Sequence, residues 1–209
     1  MAKDEVFPAS LRLNGLRCLL VGSGEEAEHR AAALVAAGAR LRVASPRPSR
    51  GLRNMAAEGS LALAMRGFEE QDLEDVWLAI LTDPDPDVAA KIAAAAAAQR
   101  IFFCAVDQPE HSTFFHPAVA RSGPVLVAVS TSGAAPALSR RLREELERVM
   151  NDAEVGAFVE GLVALRARTP SDERKAVLGD AVANIRLGPL ELSELPPMAK
   201  DEPEKSDEQ

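Results

Sequence analysis

Between an apolar run at Arg17–Val21 and a helix-patterned run ending near Ala37 stands Gly22-Ser23-Gly24-Glu25-Glu26-Ala27. Gly22, Gly24 and Ala27 fit the spacing G-x-G-x-x-G/A. Small residues are needed there because the chain turns tightly and its backbone approaches a pyrophosphate at a helix N-terminus. The spacing alone is a weak signal. With a strand before it, a helix after it and a second strand–helix unit following, it predicts dinucleotide binding; a glycine turn without a ligand is the plain alternative.

The rest of the chain to Met150 continues that alternation. Strands are expected at Arg17–Val21, Arg40–Ala44, Leu61–Met65, Trp77–Leu81, Ile101–Ala105 and Val125–Val129, with helices between most of them. Continuous apolar strands separated by helices predict an α/β fold, a parallel sheet covered on both faces. A long helix over Pro136–Met150 follows, then two helices, Asp152–Arg168 and Ser171–Asn184, with no strand between them. The expected organisation is a dinucleotide-binding domain over 1–115, an active-site and dimerisation segment over 116–150, a helical region over 151–195, and a disordered acidic tail over 196–209.

Three further places carry candidate chemistry. A generic fingerprint has an acid at the end of the second strand for the ribose hydroxyls. Here Ser45-Pro46-Arg47 stands there, and Arg47 or Arg50 could instead meet a 2′-phosphate or simply be solvated. Asp107 follows the fifth strand, where the ligand crevice of an open α/β sheet lies. It could act as a general base or serve as a turn residue. The run Val129 to Pro136, with Thr131, Ser132 and Gly133, has hydroxyls and amides able to hold an anion or to cap the next helix. His116 shares a loop with Asp107 and is a candidate for substrate contact, although a His beside two Phe residues is commonly structural; His29 and His111 read as surface and loop residues.

Composition removes other classes. There is no tyrosine among 209 residues, so no catalytic Tyr is available. A net charge of −8 with 4% aromatics lacks the basic footprint and stacking platforms of a nucleic-acid binder. No CxxC or HExxH suggests a metal site. Cys18 and Cys104 fall in strands and read as reduced core residues. No apolar run approaches a membrane span, and the N-terminal residues lack a secretory leader pattern, so a cytoplasmic protein without membrane contact is expected.

Taken in order, these segments resemble the N-terminal module of siroheme synthase, the precorrin-2 dehydrogenase family. The matching landmarks are Phe7-Pro8 before Leu11-Arg12-Leu13, Val21-Gly22-Ser23-Gly24, Ala36-Ala37-Gly38-Ala39 and Trp77-Leu78-Ala79-Ile80 before Thr82-Asp83. They continue with Val106-Asp107, Phe114, Pro117, Val129-Ser130 through Gly133 to Pro136, and Leu138 to Glu144. The resemblance implies a Rossmann-like doubly wound sheet followed by a small helical dimerisation region. It implies NAD-dependent oxidation of precorrin-2 to sirohydrochlorin, in some members also iron insertion, and a homodimer. Asp107 takes the place of the family's essential aspartate. Cofactor contacts are implied for Gly22, Ser23, Gly24, Glu25, Glu26, Ser45, Pro46, Arg47, Thr82 and Asp83, and substrate contacts for His116, Thr131, Ser132 and Gly133. Thr131 stands where some members carry a phosphorylatable Ser. Cys104 replaces a usual Asn, and His116 an apolar residue. With no methyltransferase module after it, a stand-alone enzyme is expected; the other-class alternative is a dinucleotide sensor without catalysis. A polycarboxylate substrate on an acidic protein predicts a local basic lining, with Arg121, Arg140, Arg141 and Arg143 as candidates, or these are solvated helix charges.

Overall fold

Along β1 (Arg17–Val21) successive side chains point to opposite faces, and both faces are buried. Cys18 and Leu20 pack with Leu41 and Val43 of β2 (Arg40–Ala44) and with Leu78 and Ile80 of β4 (Val76–Leu81). Leu19 and Val21 face the other way, toward Ala79 and Leu81 of β4 and Phe103 and Ala105 of β5 (Phe102–Ala105). With β3 (Ala62–Ala64), these strands form a five-stranded sheet in the order β3-β2-β1-β4-β5, every pair parallel. The computed structural model describes residues 6–132 and 134–188; Gly133 and the tail lie outside them.

Helical periodicity decides what covers each face. α1 (Gly24–Ala36) buries Ala27, Ala31 and Leu34, residues on one stripe, and α2 (Arg50–Ala57) buries Leu52 in the same cluster. α3 (Pro86–Ala98) buries Ala89, Ile92 and Ala96 on the opposite face. Its start is encoded locally: Asp85 accepts a hydrogen bond from the Asp87 amide at 2.9 Å, and Pro86 stands where no backbone donor is needed. Each fully buried leucine or isoleucine, such as Leu19, Leu20 and Ile80, contributes about 1.5–3 kcal/mol relative to exposure. Asp72 is the buried charge of this unit. Arg66 grips both its oxygens at 2.8 and 2.9 Å, and Arg42 approaches at 3.6 Å. Burial alone would raise the Asp72 pKa, but these guanidinium contacts and the Glu69 amide hold it below the usual carboxylate range.

The free edge of β5 is closed by side chains of the loop that follows. Phe103 and Ala105 donate their amides to Thr113 Oγ1 and Ser112 Oγ at 2.9 and 3.0 Å, and the Thr113 amide returns a bond to the Phe103 carbonyl. That occupies the backbone groups to which a sixth parallel strand would pair.

The expected sixth strand of the sheet is accordingly a correction. Val125–Val129 (β7) pairs antiparallel with an additional strand, Ala118–Ser122 (β6), in a separate two-stranded ribbon. Gly123, at φ 53, and Pro124 make the turn, with glycine first among the two central residues as a tight hairpin requires. The ribbon packs on α4 (Pro136–Asp152), burying Ala120, Ser122 and Met150. β6 mixes its alanines and valine with Arg121 and Ser122, so its apolar pattern is faint; the Ser122-Gly123-Pro124 turn was the available signal.

The chain divides into two compact units, Met1–Val155 and Gly156–Gln209. The described part of the second is helical, with α5 (Val155–Arg168) running into it and α6 (Arg174–Val182) following. Thr169 between them bonds the Leu165 carbonyl through its hydroxyl at 2.7 Å and receives Arg174 Nε on its own carbonyl at 3.0 Å. Among the described residues no helix is long and apolar enough to cross a membrane.

Candidate active site

In the order β3-β2-β1-β4-β5, β1 leads outward to β2 on one side while its other neighbour is β4. The loops after β1 and β4 therefore part at this point, leaving a crevice beyond the strands' carboxyl ends. Gly22 follows β1 and Thr82 follows β4. The Thr82 amide donates to the Val21 carbonyl at 2.9 Å, which ties the two loops at their bases. Gly22 has φ 138, and a Cβ there would come within 2.1 Å of Thr82 Oγ1. Only glycine fits both the conformation and the space. Gly24 opens α1 at φ 81 with no atom within 4 Å of where its Cβ would be. Ser23 precedes it in extended conformation without a side-chain cap, so the leading amides of α1 face the crevice end as an anion cradle. This arrangement fits a dinucleotide pyrophosphate.

A cavity of about 550 Å³ occupies the crevice, lined by Glu26, Arg30, Thr82, Pro84, Val106, Asp107, Gln108 and Arg140. Asp107 is exposed, and its backbone sits at φ 60, a left-handed conformation uncommon outside glycine and stored here in a turn at the strand end. The turn is anchored on both sides: the Val106 amide bonds the Leu81 carbonyl at 2.9 Å and the Gln108 amide bonds the Ala105 carbonyl at 3.2 Å. Gln108 is buried and ties this loop to the one after β4, donating from Nε2 to the Asp83 carbonyl at 3.1 Å. Its Oε1 is buried and lacks a hydrogen-bond partner.

Electrostatics inside the cavity are set by pairing. Arg30 Nε binds Glu26 Oε1 at 2.7 Å, one turn along α1, so the α1 acid on the cavity wall is paired. The candidates after the other strands are placed differently. Ser45 is fully buried at the end of β2 with an unpartnered hydroxyl, while Pro46 and Arg47 are exposed beside it. Asp83 is exposed and accepts the Asp85 amide at 3.1 Å.

The residues expected to touch substrate do not gather in this cavity's wall. His116 packs by its ring against Phe114, with centroids 5.8 Å apart. Although solvent reaches part of it, the protein crowded around the imidazole and the positive Arg30 push its pKa down to about 4, against the pull of Glu26. It is neutral at physiological pH. Thr131 is committed to α4: its hydroxyl accepts the Ala135 amide at 3.1 Å and shares a hydrogen with Ser139 Oγ at 3.1 Å. Of the hydroxyls able to serve the start of α4, Thr131 is the one engaged there, while Ala135 holds the cap position and Ser132 is exposed at φ 51. Gly133 lies outside the described residues. Cys18 and Cys104 are free and buried; burial pushes Cys18 to about 11 and raises Cys104 as well, so both are poor nucleophiles. No group of metal-ligating side chains occurs among the described residues.

Arg30 and Gln108 were not among the sequence candidates. Arg30 had a faint signal, four residues after Glu26 on the same helix face, and Gln108 had only its position after Asp107. Of the four basic candidates, Arg140 alone lines this cavity, whereas Arg121 lines a second one with Leu11, Arg12 and Leu126.

Comparison with known proteins places residues 9–118 in the family described as "Putative NAD(P)-binding" and residues 123–148 in "Sirohaem biosynthesis protein central". Siroheme synthase 3 of Aeromonas hydrophila is 36% identical over 176 residues, 84% of this chain and 37% of the relative. Siroheme synthase of Citrobacter koseri is 40% identical over 144 residues, 69% of this chain and 32% of the relative. The chain thus spans about a third of the length of these curated relatives. Among solved structures, SirC, precorrin-2 dehydrogenase, superposes with a TM-score of 0.70 at 22% identity, covering 86% of this chain and 90% of that one. That likeness establishes the fold.

Proposed function

The chain belongs to the NAD(P)-binding family, and from that premise we propose that it is an NAD-dependent precorrin-2 dehydrogenase, producing sirohydrochlorin in siroheme biosynthesis. The observation that carries this reading is Asp107, held at a left-handed φ on the wall of a cavity also lined by Glu26 in the first turn of α1 and by Thr82 after β4. Removing two hydrogens from a tetrapyrrole requires a hydride acceptor and a base. The glycine cradle supplies the place for the first and Asp107 supplies the second.

Gly22, Ser23, Gly24 and the amides of α1 would hold the pyrophosphate of NAD, and Thr82, Pro46 and Arg47 are the further residues that would contact it. When bound, NAD supplies the hydride acceptor. Asp107 takes the proton lost from the macrocycle, from its exposed position on the cavity wall. Gln108 keeps the Asp107 turn in register with the loop after β4. Arg30 neutralises Glu26 so that phosphate can approach α1. Neutral His116 contributes bulk rather than charge. Iron insertion would also need pyrrole protons removed, which the same carboxylate could do.

We place the enzyme in the cytoplasm as a homodimer; exposed Phe158, Val163 and Val182 on the second unit's helices support a partner there. Incubation with precorrin-2 and NAD should yield NADH and sirohydrochlorin absorbance, and Asp107→Asn should remove at least about 100-fold of the rate. Unchanged turnover by Asp107→Asn would sink the assignment of the base. Binding of NAD without oxidation of precorrin-2 would replace this reading with that of a sensor.

A further inference from the structure

The cavity at the strand ends contains four charged side chains, Glu26, Arg30, Asp107 and Arg140. Glu26 and Arg30 cancel each other at 2.7 Å. Asp107 and Arg140 remain, one of each sign, and no ion pair joins them. Arg140 belongs to α4, which carries three other arginines, and each of those is engaged along the helix. Arg141 meets Glu144 and Glu145; Arg143 meets Glu144 and Glu147, the latter at 2.7 Å; Arg148 meets Glu145 and Asp152 at 2.8 and 3.3 Å. Among the described residues Arg140 makes no ion pair and no hydrogen bond, and it is the member of this set that lines the cavity. A helix rich in Glu at neighbouring positions has satisfied every arginine but the one facing the ligand space. A planar guanidinium presented this way suits a carboxylate, which it can grip with two parallel hydrogen bonds.

We propose that Arg140 anchors a peripheral carboxylate of the macrocyclic substrate, setting the ring edge against Asp107; this rests on the dehydrogenase reading above. The arrangement makes recognition and chemistry separate duties. Arg140 holds an acetate or propionate arm that does not react, and Asp107 meets the carbon or nitrogen that loses its proton. Because the anchor is made equally in the bound and the reacting state, its removal raises KM and leaves kcat nearly intact.

The test is steady-state oxidation of precorrin-2 by the full chain, parent against Arg140→Gln and Arg140→Lys, with NADH affinity measured by fluorescence titration. Loss of a charge-assisted contact predicts a KM for precorrin-2 raised about 10–100-fold in Arg140→Gln, kcat within about 3-fold, and partial recovery in Arg140→Lys. NADH affinity should be unchanged. A KM within about 2-fold of the parent overturns the anchor while leaving the dehydrogenase reading in place. A fall in NADH affinity matching the rise in KM overturns it too, because Arg140 would then be holding the dinucleotide phosphates. A parent that never oxidises precorrin-2 overturns the underlying reading and the anchor with it. Arg140 is exposed, so the variants keep the parent's fold, which an unchanged urea midpoint verifies.

Discussion

Replacing Gly22 by alanine is expected to destabilise the first unit through one identifiable collision. The new methyl would lie 2.1 Å from Thr82 Oγ1, 3.3 Å from Thr82 Cβ and 3.4 Å from the Asp83 amide nitrogen. Holding alanine at φ 138 costs about 1–3 kcal/mol, and forcing the methyl against Thr82 costs about the same again. The sum, about 2–6 kcal/mol, is a large part of a typical domain's stability. The second contribution is separable. Thr82→Ala removes the colliding oxygen, whose own bond to the Val21 carbonyl is a marginal 3.5 Å, so alone it should cost under about 1 kcal/mol. Urea unfolding of parent, both single variants and the double variant gives the coupling directly. Gly22→Ala should lose about 1–3 kcal/mol less in the Thr82→Ala background than in the parent. Equal losses in both backgrounds, or a Gly22→Ala loss under about 0.5 kcal/mol, would refute the close-packing argument for this glycine.

Three other outcomes follow from the same structure. Asp72→Asn should cost about 2 kcal/mol at neutral pH by leaving the buried end of Arg66 unmatched. Because the Asp72 carboxyl sits below its ordinary range when folded, the parent's advantage should hold from pH 7 to about 4, then shrink as the pH falls through the folded value; an advantage lost already at pH 6 would contradict it. The His116 imidazole, lowered to about 4, should remain neutral at pH 6 by NMR. Since the unfolded chain takes up that proton first, stability should rise with pH between about 4 and 6.5, and a His116 midpoint near 6.5 would refute the environment described. Gln108→Met removes one bond to the Asp83 carbonyl but also a buried oxygen without a partner, so thermal and urea stability should stay level or rise by up to about 2 kcal/mol. A loss beyond about 1 kcal/mol would mean that Oε1 is satisfied in solution.

The site shows where reading along the chain stops being sufficient. Gly22 and Gly24 were visible because a turn between a strand and a helix needs small residues whatever lies around it. The collision that makes glycine obligatory at position 22 involves Thr82, sixty residues later. Thr131 looked like a ligand because hydroxyls at a strand–helix junction often bind anions, yet its oxygen is taken by the Ala135 amide and Ser139. β7 looked like another parallel strand because five apolar residues have the same appearance in either kind of sheet. Its half-buried, alternating exposure and its partner β6 became evident only once the β5 edge was seen to be closed by Ser112 and Thr113.

Local pattern was therefore enough for the parallel α/β sheet, the glycine cradle and the presence of an aspartate after the fifth strand. Periodicity, turn residues and helix caps act over a few neighbours, and the chain displays them directly. Packing alone could settle which charges remain available: Glu26 is silenced by Arg30, the α4 arginines pair along their helix, and Arg140 and Asp107 are left open to the cavity. The helix spacing offers each of these pairs as neighbours three or four residues apart, but which arginine is turned toward the cavity depends on how α4 packs against elements far apart in the chain, and composition or spacing contains no measure of that.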